Sequence, residues 1–144
     1  MSEAKGATGR CLCGKVSFRI TKPVTEAGAC HCSMCRRWGS GPYLEVSCGG
    51  AVVFEGEENI VRYKSSDWAE RGFCGTCGAN LFYFLLPTGD YMMAAGALDD
   101  QTGLTLESQV FIDEKPDFYT FANETKTMTG AEVFALYAPP EEKG

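Results

Sequence analysis

A chain of 144 residues, 44% hydrophobic and 22% charged, is long enough to bury one sizeable core, and we expect a single domain over residues 1–144. The formal net charge of -6 and the lack of a basic stripe disfavour a nucleic-acid backbone or an anionic membrane as a partner. No apolar run is long enough to cross a bilayer, and the polar residues 1–9 lack the apolar core of a signal peptide, which favours a cytoplasmic location.

Short strands separated by turns dominate the pattern after this loose leader. Between residues 14 and 20 the apolar Val16, Phe18 and Ile20 alternate with polar residues, as in a half-buried strand. Further strands are predicted at 43–47, 51–55, 59–64, 81–86, 91–97 and 108–113. The pattern therefore predicts a mainly β domain with a core over about 9–137 and disordered tails.

Helix is expected at two places only. Residues 33–38 can form one helical turn with Ser33 as its N-cap. Near the end of the chain, the run Thr129-Gly130-Ala131-Glu132 has the form of a capping box. This run predicts a short C-terminal helix over residues 133–137.

Seven of the eight cysteines lie in three clusters. These are Cys11 and Cys13, then Cys30, Cys32 and Cys35, then Cys74 and Cys77. Disulfides are disfavoured because the cytosol keeps thiols reduced, whereas cysteines two or three residues apart can share one metal ion. We therefore interpret the three clusters as metal ligands, and Cys48, which lies apart from them, as a bystander.

Two of the clusters can form one closed zinc site. Cys11 and Cys13 precede one predicted strand and Cys74 and Cys77 precede another, so two facing turns would supply four thiolates in tetrahedral geometry. Because the two pairs are far apart in sequence, this site would have a structural role. The spacing alone also permits the first pair to share an ion with the central cluster, and it permits an iron–sulfur cluster.

The central cluster, formed by Cys30, Cys32 and Cys35, then provides three thiolates. Three protein ligands and an open position are typical of a catalytic zinc, and a thiolate-rich ion suits an incoming thiol. Arg36 and Arg37 follow directly and could offset the negative charge or bind a substrate carboxylate.

The same segment allows two other interpretations. Cys32-Ser33-Met34-Cys35 is a CxxC motif, and its two thiols could cycle to a disulfide as a redox switch. His31 is the only histidine and could be a ligand or a general acid–base. Because neighbouring residues in a tight loop point in different directions, we favour an orienting or structural role for His31.

Three runs of the chain together resemble one known family. They are Gly9-Arg10-Cys11-Leu12-Cys13-Gly14, Cys30-His31-Cys32-Ser33-Met34-Cys35-Arg36-Arg37 and Arg71-Gly72-Phe73-Cys74-Gly75-Thr76-Cys77-Gly78. These runs closely resemble the glutathione-dependent formaldehyde-activating enzyme family, also called the centromere-protein-V/GFA domain family. A later run, Ala94-Ala95-Gly96-Ala97-Leu98-Asp99-Asp100, resembles the family's stretch of small residues that ends in Leu-Asp.

The resemblance implies an Mss4-like fold of several small antiparallel sheets and two zinc ions per chain. It implies a structural zinc on one set of thiolates and a catalytic zinc on another, and these sets are Cys11, Cys13, Cys74 and Cys77, and Cys30, Cys32 and Cys35. The family's activity joins glutathione and formaldehyde into S-hydroxymethylglutathione, formally a carbon–sulfur lyase reaction. The expected partner is thus a small thiol such as glutathione.

Two positions depart from the family's pattern. Many members have a histidine in the late strand where this chain has Gln109, and many have a tryptophan after the proline where this chain has Asp117-Phe118. Both departures concern substrate identity and leave the metal ligands intact. A zinc-stabilised binding module without enzymatic activity remains the alternative function, because a fold alone does not establish an activity.

Overall fold

The computed structural model describes residues 6–137, and the chain folds as two compact units. The first unit contains the described residues up to Ala27 together with Leu44–Thr105, and the second contains Gly28–Tyr43 and the described residues from Leu106. The assignment of both units to one domain stays a prediction. Most of the expected tails lies outside the described residues, although Thr8–Arg10, at the end of the expected leader, form a strand.

Eleven strands and two α-helices follow along the described chain. Strands β1 (Thr8–Arg10), β2 (Ser17–Ile20) and β3 (Glu26–Cys30) precede helix α1 (Ser33–Gly39). Next come β4 (Tyr43–Gly49), β5 (Val52–Glu55), β6 (Ile60–Ser66), β7 (Ala69–Cys74), β8 (Asn80–Leu85), β9 (Asp90–Ala94) and β10 (Thr105–Val110). The last elements are β11 (Lys126–Met128) and helix α2 (Gly130–Tyr137).

The strands of the first unit form two antiparallel groups. In one group β2 lies between β1 and β5, with Phe18 opposite Phe54. In the other, strands β4, β9, β8, β7 and β6 are neighbours in that order. Consecutive strands from β6 to β9 are neighbours in the sheet, so each connection between them is a hairpin. The β7–β8 connection therefore begins and ends at the same edge of the sheet.

Aromatic and aliphatic side chains from both groups fill the core of the first unit. The rings of Phe54 and Phe82 lie 5.5 Å apart, and Phe82 meets Tyr91 edge to face at 5.0 Å. Such tilted pairs add to the free energy gained by burial. Phe82 and Met93 are fully buried on neighbouring strands, so the centre of the core lies between β8 and β9.

The second unit is built around β10, which lies between β3 and β11. The β10–β11 pair is parallel, with Gln109 opposite Thr127. After β10 the chain turns sharply at Phe111, whose φ of 55° is left-handed, into a short 3₁₀ turn over Ile112–Glu114. Gly130 allows this packing because a Cβ there would lie 2.7 Å from the Phe111 ring.

Two adjacent carboxylates of this 3₁₀ turn hold the starts of both helices. An oxygen of Asp113 accepts a hydrogen bond from the backbone N–H of Gly130 at 2.8 Å, at the first residue of α2. An oxygen of Glu114 accepts one from the N–H of Ser33 at 2.9 Å, at the first residue of α1. Since the first N–H groups of a helix have no partner within it, both contacts stabilise helix ends.

The mainly β architecture with a short C-terminal helix, predicted from the sequence, is confirmed. The capping box is present, because the Glu132 carboxylate accepts from the Thr129 N–H at 2.7 Å and Thr129 Oγ1 accepts from the Glu132 N–H at 3.2 Å. Strand β9 ends earlier than predicted because Ala95–Ala97 form a 3₁₀ turn. None of the helices among residues 6–137 has the length and apolar character needed to span a membrane.

Replacement of Gly72 by alanine tests the close packing between β7 and β8. A Cβ at this position would lie 2.2 Å from an atom of the Phe82 ring, and this ring is fully buried and cannot move aside. We expect Gly72→Ala to lower the free energy of unfolding by about 1–3 kcal/mol, the usual cost of overpacking. Chemical denaturation measures this loss.

Gly96→Ala is the matched control for Gly72→Ala. A Cβ at residue 96 meets nothing within 4 Å, so its free energy of unfolding should stay within about 0.5 kcal/mol of the wild type. Equal stability of the two variants would contradict the packing described for the β7–β8 pair.

Candidate metal centres and active site

Four cysteine sulfurs of the first unit meet at one point. Cys11 and Cys13 lie on the turn between β1 and β2, while Cys74 ends β7 and Cys77 lies on the turn before β8. All four Sγ atoms lie within 4.8 Å of one another, and Cys13 Sγ is 3.7 Å from that of Cys11 and 3.8 Å from that of Cys74. Four thiolates around a zinc ion at the usual Zn–S length of about 2.3 Å would stand about 3.8 Å apart. The four sulfurs therefore fit a tetrahedral zinc ion.

Backbone N–H groups point at two of these sulfurs. The Val16 N–H donates to Cys11 Sγ at 3.3 Å. The N–H groups of Thr76 and Cys77 donate to Cys74 Sγ at 3.4 and 3.5 Å. Such donors stabilise negative charge on sulfur, which is the form that binds a metal.

The turn after Cys74 depends on Gly78. This glycine has a φ of +79°, which L-residues with a side chain rarely adopt, and its N–H donates to the Cys74 carbonyl at 2.8 Å. A hydrogen bond from the backbone of Ala79 helps to lower the pKa of the Cys77 thiol to about 6. The turn thus favours a thiolate at Cys77 near neutral pH.

Three further cysteine sulfurs meet in the second unit. Cys30 is the last residue of β3, Cys32 is the N-cap of α1, and Cys35 is buried in the first turn of that helix. Their Sγ atoms lie within 4.8 Å of one another, and we call these residues the triad. Hydrogen bonds with Cys32 and Cys35, together with burial, raise the pKa of the Cys30 thiol. The three thiols resist joint ionisation, and a bound cation would relieve this, so the triad fits a thiophilic metal ion.

The N-cap of α1 is not the residue that was predicted. The sequence favoured Ser33, but Cys32 occupies the cap position and its Sγ accepts from the Cys35 N–H at 3.3 Å. The physical reason is that Ser33 is itself the first residue of the helix, so the residue before it is the cap. The sulfur of this cap is held beside Cys35, the third residue of the triad. The helix start therefore orders the triad directly.

The donor set of the triad is incomplete for a tetrahedral ion. Among residues 6–137, no histidine, aspartate, glutamate or further cysteine joins the three sulfurs as a fourth ligand. Of the two groupings that the spacing permits, the structure brings Cys11 and Cys13 together with Cys74 and Cys77. A metal ion held by the triad would keep one position open for an external ligand.

His31 lies between two triad cysteines in sequence but directs its ring elsewhere. It is fully buried, and its Nδ1 lies 2.8 Å from the Tyr119 hydroxyl. Its Nε2 lies 2.8 Å from Gln109 Oε1. Burial lowers the pKa of the His31 imidazole. Both ring nitrogens are therefore engaged, in agreement with an orienting or structural role and not with a role as ligand.

Tyr119 belongs to a loop that Lys115 holds together. Lys115 Nζ donates to the backbone carbonyls of Pro116, at 3.0 Å, and of Tyr119, and it lies 5.1 Å from the centre of the Tyr119 ring. The rings of Tyr119 and Phe121 lie 5.6 and 5.8 Å from the His31 ring. These contacts fix the Tyr119 side chain against His31.

The two arginines that follow the triad occupy different environments. Arg36 is half-buried, and its Nε donates to the His31 carbonyl at 2.9 Å, so the side chain is held beside the triad loop. Arg37 is exposed on the same helix. Only Arg36 is thus ordered by a contact with the segment that carries the cysteines.

Cys48 belongs to neither group of sulfurs. It is fully buried on β4, with its Sγ 3.7 Å from the Tyr91 carbonyl oxygen. Cys48 therefore lies outside both groups of sulfurs, as its isolated position in the sequence predicts.

The sequence interpretation missed the partners of His31. Gln109 was noted only as a departure from the family's pattern, and Tyr119 was not singled out. The sole signal was the aromatic density of the segment Phe118-Tyr119-Thr120-Phe121, which does not indicate which ring meets the histidine.

Comparison with known proteins places these features in one family. The family model described as glutathione-dependent formaldehyde-activating enzyme matches residues 6–114. An uncharacterized lyase from Schizosaccharomyces pombe is 38% identical over 127 residues, which cover 87% of this chain and 92% of that protein. A crystal structure of a Rhodobacter sphaeroides protein is 25% identical, with a TM-score of 0.55, and the match covers 64% of this chain and 87% of that one.

Replacement of Cys74 tests the four-sulfur centre. We expect Cys74→Ala to remove one metal equivalent per chain and to lower the free energy of unfolding by on the order of 5 kcal/mol, because metal binding and folding are coupled. Elemental analysis of the folded protein and denaturant titration measure the two effects.

Cys48→Ala is the matched control, because Cys48 and Cys74 are equally buried. It should keep the full metal content and cost about 1 kcal/mol through the small cavity. Identical metal content in the two variants would argue against the four-sulfur centre.

Proposed function

Because the chain belongs to the glutathione-dependent formaldehyde-activating enzyme family, we propose that it is a carbon–sulfur lyase that reversibly joins a thiol such as glutathione to a small aldehyde such as formaldehyde. The observation that carries this proposal is the triad, whose three sulfurs have no fourth protein ligand among residues 6–137, while both ring nitrogens of the only histidine are engaged by Tyr119 and Gln109. The S. pombe relative, named a lyase, supports the reaction class.

The proposed cofactors are two zinc ions per chain. Cys11, Cys13, Cys74 and Cys77 would hold a structural ion in a closed shell, and the triad would hold a catalytic one. Cys30, Cys32 and Cys35 would hold this ion, and when bound it would supply the Lewis acidity that lowers the pKa of a substrate thiol. Thiols grouped as metal ligands suit a reducing compartment, and we propose a cytoplasmic location.

The reaction requires no oxidant or reductant. The substrate thiolate attacks the carbonyl carbon, a carbon–sulfur bond forms and the carbonyl π bond breaks. The electron pair of that bond moves to the oxygen, which takes up the proton that the thiol released. The lyase direction is the reverse of these steps, with the same atoms and protons.

Arg36 is the proposed substrate-binding residue of this chain. Its Nε donates a hydrogen bond to the His31 carbonyl oxygen, and no ion pair among the described residues involves its terminal nitrogens. A guanidinium binds carboxylates in a forked geometry, and glutathione carries two carboxylates. Arg37 is exposed on the same helix and would contribute general positive charge rather than an ordered contact.

Replacement of Cys35 tests whether the triad binds the substrate sulfur. We expect Cys35→Ser in zinc-loaded protein to weaken glutathione binding at least about tenfold, since a hydroxyl is a poor ligand for a thiophilic ion. Calorimetric titration measures the dissociation constant. Cys48→Ala should bind glutathione like the wild type.

Unchanged affinity in Cys35→Ser would contradict a thiol-binding triad. A disulfide between Cys32 and Cys35 after mild peroxide, with glutathione binding absent in the untreated protein, would favour the redox switch instead.

Replacement of the two arginines by glutamine tests the carboxylate contact. Loss of a charge-assisted hydrogen bond should raise KM for glutathione about tenfold in Arg36→Gln. The matched variant Arg37→Gln should change KM by less than about twofold. Steady-state kinetics over a range of glutathione concentrations measure both, and equal KM values in the two variants would exclude a distinct role for Arg36.

A further inference from the structure

The residues on both sides of Cys32 are held by one stretch of the second unit, residues 110–114. The His31 N–H donates to the Val110 carbonyl oxygen at 3.1 Å, at the end of β10. The Ser33 N–H donates to Glu114 Oε1 at 2.9 Å, at the end of the 3₁₀ turn that follows β10. The backbone before and after this triad cysteine is therefore fixed from two points of the same segment.

The triad depends on this attachment because its sulfurs come from two elements. Cys30 ends β3, whereas Cys32 caps α1 and Cys35 lies in the first turn of that helix. Strand β3 lies beside β10, and the Glu114 contact ties the first residue of α1 to the turn after β10. The direction in which α1 leaves β3 thus decides whether the three sulfurs stay within 4.8 Å of one another.

The Val110 and Glu114 contacts differ in origin. The carbonyl oxygen at residue 110 belongs to the backbone, and any residue there would supply it. The contact of Glu114 comes from a half-buried side chain, and a hydrogen bond from an N–H to a carboxylate is charge-assisted. Glu114 is therefore the part of the attachment that a single substitution can remove.

We propose that Glu114 is a positioning residue of the triad, whose carboxylate holds the start of α1 so that Cys32 and Cys35 stay converged on Cys30 around a bound metal ion. This inference rests on the proposed function, since it requires the triad zinc. Loss of a group that orients metal ligands without touching the metal typically lowers metal affinity about tenfold to hundredfold. Glu114 thus governs how tightly the triad retains its ion.

Asp113, the neighbour of Glu114 in the same 3₁₀ turn, provides an internal comparison. Its carboxylate accepts from the Gly130 N–H at 2.8 Å, at the start of α2. Helix α2 carries none of the clustered cysteines. Loss of either carboxylate removes one hydrogen bond at a helix start, but only that of Glu114 acts on the triad. The pair therefore separates a general loss of stability from a loss of triad geometry.

Zinc release from the full-length, zinc-loaded protein tests the proposal. Transfer of zinc to a coloured chelator is followed by absorbance, and the triad equivalent is the one that Cys35→Ser loses. We expect Glu114→Ala to release this equivalent at least about tenfold faster than the wild type and to keep the other at the wild-type rate. Asp113→Ala should release both equivalents at wild-type rates, although denaturation should show a similar loss of stability in the two alanine variants.

Two conservative variants distinguish reach from charge at residue 114. Glu114→Gln keeps an acceptor oxygen at the same distance without the charge, so its release of the triad equivalent should stay within about threefold of the wild type. Glu114→Asp keeps the charge but is shorter by one methylene, so it should release the triad equivalent nearly as fast as Glu114→Ala. A purely electrostatic role of Glu114 would reverse this order.

Unchanged release in Glu114→Ala, equal acceleration in Asp113→Ala, or the reversed order of the conservative variants would overturn the role of Glu114. Glutathione binding by the zinc-loaded wild type would leave the proposed function standing in each of these cases. A wild-type protein without a zinc equivalent that depends on Cys35 would instead refute the triad zinc of the proposed function, and this inference with it.

Discussion

The convergence of four sulfurs from two distant turns is the constraint on which the first unit depends. Cys13 and Cys74 are 61 residues apart in sequence, and their sulfurs lie 3.8 Å apart. Closing a loop of that length costs conformational entropy, and thiols at this distance do not attract one another enough to offset it. A shared cation would supply the missing attraction, and it would then join the turn after β1 to the end of β7.

The two groups of thiols differ in how the chain completes them. The four-sulfur centre draws four sulfurs from two turns, with backbone N–H donors to two of them, so a tetrahedral ion bound there would have no position left for an outside ligand. The triad draws on one strand end and one helix start, and the ring of His31, which lies between two of its cysteines in sequence, is held by Tyr119 and Gln109. A closed shell favours stability, and an incomplete one favours exchange of ligands.

Features set by short-range pattern could be predicted from the sequence. The capping box at Thr129 and the three local cysteine clusters depend on residue spacing and on local chemistry, whereas spacing alone leaves open which clusters share a centre. The sequence does not predict strand β3, because its run of glycine and alanine has no alternation, and it favours Ser33 over Cys32 as the cap because sulfur is an uncommon cap. The contact between His31 and Tyr119 spans 88 residues and follows only from the tertiary arrangement.

The family match ends at residue 114, whereas two members of the hydrogen-bonded set around His31 and Gln109, which are Tyr119 and Thr125, lie beyond that point. The matched range therefore contains the clustered cysteines but not every side chain that holds the histidine between them. A relative that shares every clustered thiol need not share this phenol, so the packing around the histidine can vary through changes in a loop while the cysteine framework stays the same.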